Sequence, residues 1–142
     1  MRAAGQDTPN SLQQELPVDT RVLRLRLIRE EVVELAEAMG FATTAADAPI
    51  DPSDLPMVAD GLADLMYVVI GCAVAYGINL GPVWAAVHTS NMEKFGPGSY
   101  RREDGKWVKP PNWVHPNLEG VLQAQLDLAR ILQTYSGHEP NH

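Results

Sequence analysis

Glu30, Glu31 and Glu34 stand at i, i+1 and i+4 in Arg29-Glu30-Glu31-Val32-Val33-Glu34-Leu35, and Asp60 and Asp64 stand at i and i+4 further along the chain. Carboxylates at these spacings could hold a divalent cation. On a helix, residues four apart share one face, and neighbours sit about 100° apart. Like charges at i, i+4 cost a few tenths of a kcal/mol in an isolated helix, and a cation would offset that. A solvated acidic face would also account for the three glutamates. The two aspartates are harder to dismiss, because their segment, MVADGLADLMYVVIGCAVAYG, is apolar nearly all round. A buried, unpaired carboxylate costs several kcal/mol, so this pair needs Arg24 or Arg26, exposure at the helix start, or a cation. All-oxygen ligands suit Mg²⁺ or Mn²⁺ and disfavour zinc. A di-iron Glu-x-x-His arrangement is absent from these helices.

A second group offers donors. His88, Asn91 and Lys94 recur every three residues and share a helical face. They would serve as donors to phosphate oxygens, although a lysine near a helix C-terminus also complements the helix dipole. Arg101, Arg102, Lys106 and Lys109 then form a local basic patch, either a lid over an anion or a solvated flap. Mg²⁺ is commonly held by one or two carboxylates plus substrate phosphates, so the two groups together suit a metal and phosphate chemistry.

The elements that must position these residues are helices. Leu25, Ile28, Val32 and Leu35 form an apolar stripe in a first helix over roughly 20–39, with the carboxylates beside it; Asp19 or Thr20 would cap it and Gly40 would end it. Residues 40–54 read as a mobile loop. A second helix starts near Ser53 or Asp54, takes Pro56 in its first turn and ends before Gly77; its composition places it at the centre of the fold. Asn79 opens a third helix to about Phe95, with Val83, Val87 and Trp84 as inward candidates. Tyr100–Val108 reads as a small hairpin turning at Asp104-Gly105, and Asn117 precedes a fourth helix over about 118–135. The fold class is therefore all-α: a bundle of about four helices with a short hairpin or loop flap before the last. It would form one domain over 1–142, with its core at about 20–135, an arm at 1–19 and a frayed tail at 136–142.

Composition narrows the function. A net charge of −7 argues against binding a nucleic-acid backbone over a broad surface, yet suits an anion bound through a metal. The single cysteine, Cys72, precludes a disulfide framework and reads as a buried thiol. The start of the chain has no signal-like apolar region. Asp60 and Asp64 would each cost about 2.5–3.5 kcal/mol near a bilayer centre, which argues against a membrane span. The expected location is the cytoplasm.

Taken together, Glu30-Glu31-x-x-Glu34, Asp60-x-x-x-Asp64 and His88-x-Ser-Asn-Met-x-Lys94 resemble the all-α nucleoside triphosphate pyrophosphohydrolase superfamily, which holds MazG-like proteins, phosphoribosyl-ATP pyrophosphohydrolases and dimeric dUTPases. The Asp60-Gly-Leu-Ala-Asp-Leu-Met-Tyr67 run and the Arg-Glu-Asp-Gly-Lys106…Lys109 segment look most like the small MazG-like members. The likeness covers about residues 20–120.

The resemblance implies a homodimer or homotetramer that cleaves the α–β phosphate bond of a nucleotide with Mg²⁺, or alternatively Mn²⁺, releasing a monophosphate and pyrophosphate. It implies Glu30, Glu31, Glu34 and Asp64 as metal ligands, with Asp60 as an added candidate. Glu31 or Glu34 would accept a proton from water, and Asn91 and Lys94 would contact phosphate. Lys109 and Arg101 extend the phosphate set from the basic patch. Tyr67, His88, Trp107 and Trp113 are open candidates for the base or sugar. One departure stands out. The family pattern Glu-x-x-Asp would place a glutamate at position 61, where this chain has Gly61. The first expectation is a house-cleaning or dUTPase-type nucleoside triphosphate pyrophosphohydrolase. The alternatives are a phosphoribosyl-ATP pyrophosphohydrolase of histidine biosynthesis, or a non-catalytic helical module that binds nucleotide or metal.

Overall fold

A computed structural model describes residues 8–41 and 54–136. The elements are α1 (Val18–Ala38), α2 (Leu55–Ala75), α3 (Leu80–Glu93), β1 (Tyr100–Arg101), β2 (Trp107–Val108) and α4 (Leu118–Ser136). The chain is mostly helical, as the patterning predicts. The expected mobile loop falls largely on 42–53 and the expected frayed tail on 137–142, outside the described residues.

Local chemistry sets most boundaries. Asp54 caps α2 by accepting from the Met57 N–H at 3.2 Å, with Pro56 in the first turn. Asn79 caps α3 by accepting from the Gly81 N–H at 3.1 Å. Gly40 and Gly77 follow α1 and α2 with φ of 82° and 68°, a left-handed conformation that stops a helix readily only at glycine or asparagine. The start of α1 differs from expectation. Pro17 occupies the cap position with no side-chain hydrogen bond, and Asp19 lies inside the first turn, where its charge favours the helix dipole.

The described residues fall into two compact units, one built mainly on Gln13–Gly77 and the other on the chain from Ile78 onward. In the first, α1 and α2 form an antiparallel helical hairpin. The Asp54 N–H donates to the Ala38 carbonyl at one end, and the Gln13 N–H donates to the Tyr76 carbonyl at the other. The inner row of α1 runs through Arg24, Leu27, Ile28, Glu31, Leu35 and Ala38, all buried or half-buried. This corrects the predicted stripe. Leu25 and Val32 are 57% and 49% exposed, because only one side of α1 meets α2. Glu31 lies on the packing row rather than beside it.

The second correction concerns α2. By length and composition it could cross a membrane. Its composition predicts a place at the centre of the fold, yet only Gly71, Ala73 and Ala75 are buried. Leu62, Met66, Tyr67, Val69 and Ile70 are exposed, since α1 covers a single face. The covered row is Val58, Gly61, Leu65, Val68, Cys72 and Ala75, at alternating spacings of three and four. Asp60 and Asp64 flank it and are exposed.

In the second unit α3 packs on α4, and Gln125 joins them by accepting from the Asn79 N–H and donating to the Asn79 carbonyl, both at 3.0 Å. Trp84 is 71% exposed, so Val83 and Val87 alone of its three inward candidates are turned toward cover. The hairpin pairs Tyr100 with Val108 and Arg101 with Trp107, turning at Asp104-Gly105 with Gly105 at φ 83°.

Candidate active site

The carboxylate group is organised by the α1–α2 hairpin. Gly61 is the point of close approach. A Cβ placed there would lie 3.3 Å from the Leu35 Cα and 3.4 Å from its Cβ. Because the helices are antiparallel, one turn back from Leu35 on α1 corresponds to one turn forward from Gly61 on α2. That step brings Glu31 toward Asp64. The electrostatics agree: the Glu31 carboxyl is raised above the ordinary carboxylate range, first by partial burial, then by the charges of Glu34, Asp64, Glu30 and Asp60 in that order. Glu31 is thus the centre of the acidic group, with Glu34 and Asp64 closest in effect.

Glu30 faces elsewhere. It accepts from Arg26 Nε at 3.0 Å, and both side chains are largely exposed. Arg26 therefore serves Glu30 rather than the aspartates. Glu30 and Arg29 also border a shallow groove with Val22, Leu25 and Val33. Among the described residues no three His, Cys, Asp or Glu side chains converge closely enough to hold a metal ion as they stand. The donor set nevertheless fits a hard divalent cation in kind. It is all oxygen, and a cation would offset the neighbouring negative charges that raise its central carboxyl.

The second unit gathers the cationic residues around Trp113. Lys109 Nζ lies 3.6 Å from the indole centroid and Lys94 Nζ lies 5.3 Å from it. Lys94 Nζ also donates to Asn91 Oδ1 at 2.6 Å. Of the predicted phosphate-binding residues, Lys94 thus contacts Asn91, and Lys94 and Lys109 both lie near Trp113. Arg101 is placed differently, with its Nε donating to the Gly105 carbonyl across the hairpin turn at 3.1 Å. Tyr67 is an exposed residue of α2, and His88 stacks parallel to Trp84 with ring centroids 6.5 Å apart.

Ser90 stands in the His88-x-Ser-Asn-Met-x-Lys94 motif without a role of its own by sequence, and it is buried at the end of α3. The Ser90 carbonyl accepts from Trp113 Nε1 at 2.8 Å, and Ser90 Oγ donates to the Val114 carbonyl at 3.3 Å. The available signal was a small polar residue immediately before Asn91, where the apolar pattern of the helix breaks.

The family model that matches this chain places it among the all-α nucleoside triphosphate pyrophosphohydrolases, hydrolases acting on phosphoric anhydrides. The model of the phosphoribosyl-ATP pyrophosphohydrolase family matches residues 1–91, and the chain belongs to that family. The match takes in α1, α2 and α3 as far as Asn91. No curated protein matches the chain.

Proposed function

We propose that this protein is a Mg²⁺-dependent phosphoribosyl-ATP pyrophosphohydrolase of the cytoplasm. The observation that carries the reading is the family match over α1–α3, where Glu31 sits among four further carboxylates. The first expectation from sequence, a house-cleaning nucleoside triphosphate pyrophosphohydrolase, becomes the second reading. One observation favours it: the family match stops at residue 91, while the Arg-Glu-Asp-Gly-Lys106…Lys109 segment, which looks like the small MazG-like members, lies beyond it.

Glu31, Glu34 and Asp64 would hold the cation, with Asp60 beside them and Glu30 at the edge. A bound divalent cation supplies neutralisation of phosphate charge and a more acidic water. Glu31 or Glu34 would accept the proton of the attacking water, with Glu31 the better placed on the inner row of α1. The α–β bridging P–O bond breaks, the water oxygen ends on phosphorus, and pyrophosphate leaves. Lys94, Lys109 and the Asn91 amide stabilise the charge on the phosphate chain. Asp60 stands one residue before the position of the missing family glutamate.

The test is pyrophosphate release from phosphoribosyl-ATP, dUTP, the other deoxynucleotides and the ribonucleotides, each with Mg²⁺, Mn²⁺ or EDTA. Release from phosphoribosyl-ATP that vanishes with EDTA is expected. Faster release from dUTP or another triphosphate selects the second reading, and release that survives EDTA rejects the metal assignment.

We also propose that the enzyme is a homodimer or homotetramer. Large apolar side chains are exposed on both units, including Leu62, Met66 and Ile70 on α2 and Leu128, Ile131 and Leu132 on α4. Large apolar side chains left exposed at i, i+4 spacing along a helix are a common feature of an interface. Light scattering should give two or four times the 15.5 kDa chain mass; a monomer at micromolar concentration would refute this.

A further inference from the structure

We propose that Trp113 is a positioning residue that gathers Lys94 and Lys109 into one site for the phosphate chain of the substrate. The proposal rests on the pyrophosphohydrolase reading and adds a residue to it.

At the end of α3 the helix tightens: the Lys94 N–H donates to the Asn91 carbonyl at 3.2 Å, and Phe95 and Gly96 bond three residues back in the same way. The Ser90 carbonyl is thereby released from the N–H four residues on. A helix end leaves such carbonyls needing a partner. The Trp113 indole supplies it through Nε1–H at 2.8 Å. The loop holds the ring from its other side. The Trp113 N–H donates to the Pro110 carbonyl at 3.0 Å, the neighbouring Val114 carbonyl accepts from Ser90 Oγ, and His115 meets the indole edge-on at 4.5 Å between centroids. The indole is therefore fixed to α3 and to the Lys109-Pro-Pro-Asn-Trp113 loop at once.

That fixed ring brings two like charges together. Lys109 and Lys94 come from separate elements, yet both ammonium groups are drawn to the same π system. The ion pairs of Arg21, Arg26, Arg102 and Arg130 engage neither lysine. Lys94 instead donates to Asn91 Oδ1, which leaves the Asn91 amide hydrogens to donate elsewhere. Two ammonium groups and an amide donor, preset on one aromatic platform, match a chain of phosphate oxygens.

Titration calorimetry of inorganic pyrophosphate and tripolyphosphate into the full-length protein tests this. The proteins are wild type, Trp113→Phe, Trp113→Leu, Lys109→Met and the two double variants. Lys109→Met in the wild-type background is expected to weaken binding about tenfold, the order for one charge-assisted hydrogen bond. Trp113→Leu is expected to do the same, and adding Lys109→Met to it should cost less than about twofold more, because the lysine is no longer held in place. Trp113→Phe keeps a ring and should recover part of the affinity. In turnover, Trp113→Leu should raise KM more than it lowers kcat. Additive losses, or unchanged affinity in Trp113→Leu, would overturn the proposal. If Trp113→Leu does not fold, the cycle between Trp113→Phe and Lys109→Met decides by the same criterion. The two readings fail separately. Wild-type protein that binds pyrophosphate with this coupling but hydrolyses no nucleotide refutes the enzyme reading and keeps the site. Wild-type protein that hydrolyses nucleotide but binds neither anion refutes the site alone.

Discussion

Replacing Glu31 by glutamine is expected to lower pyrophosphate release by about 10²–10⁴-fold, the usual range for a general acid–base group. The same change should leave the metal-free protein at least as stable as wild type. Both outcomes follow from one placement. Glu31 sits on the inner row of α1, half-buried against α2, with Glu34, Asp64, Glu30 and Asp60 acting on it. Folding therefore raises its affinity for a proton. In the metal-free protein the stability that goes with this group is greatest below its ordinary pKa. It falls as pH rises through the raised folded value, because the ionised form is the one the fold disfavours. Glutamine carries no charge and removes that decline. Saturating Mg²⁺ should remove it in wild type as well, by supplying the missing positive charge. The measurement is a set of thermal melts across pH, with EDTA and with Mg²⁺, on wild type and Glu31→Gln. A Glu31→Gln variant that retains full turnover and full Mg²⁺ stabilisation would show that Glu31 serves neither role.

Restoring the family glutamate by Gly61→Glu is expected to destabilise the protein and to bring no gain in turnover. The new Cβ would sit 3.3 Å from the Leu35 backbone Cα, tighter than ordinary contact, so the two helices must move apart by a few tenths of an ångström. Overpacking of this kind costs about 1–3 kcal/mol. A further carboxylate beside Glu31 and Asp64 adds repulsion in the absence of metal. The control is Gly61→Ala, which meets the same contact but adds no charge and gains up to about 1 kcal/mol of helix propensity. Denaturant melts of both variants measure the difference. A Gly61→Glu variant as stable as wild type and several-fold more active would show that the hairpin has room for a ligand at this position and that the chain lacks one there.

The hairpin also explains why Asp60 cannot simply take the place of the absent glutamate. Position 61 lies on the row that faces α1, while Asp60 and Asp64 flank that row and are exposed. A carboxylate at 60 therefore projects about 100° round the helix from one at 61. Any contribution Asp60 makes comes from a different direction, which agrees with its weakest influence on Glu31.

Several features are determined by the sequence alone because they are made within a few residues. Asp54 and Asn79 cap α2 and α3 through their own side chains, and Gly40 and Gly77 stop helices by a backbone conformation other residues resist. Asp104-Gly105 turns the hairpin by the same kind of local preference. The carboxylate types and spacings that suggest a divalent cation are equally visible without a fold. What the tertiary structure alone decides is non-local. Periodicity marks an apolar face on α1, but only the partner helix selects the row that holds Glu31 and leaves Leu25 and Val32 outside. It likewise decides that an almost wholly apolar α2 is covered on one side, that Gly61 is the contact point with Leu35, and that Lys94 and Lys109 share Trp113. The physical reason is common to all of these. Capping and turn energies depend on neighbours in the chain, whereas burial and charge clustering depend on which surfaces meet, and no spacing within one segment specifies that.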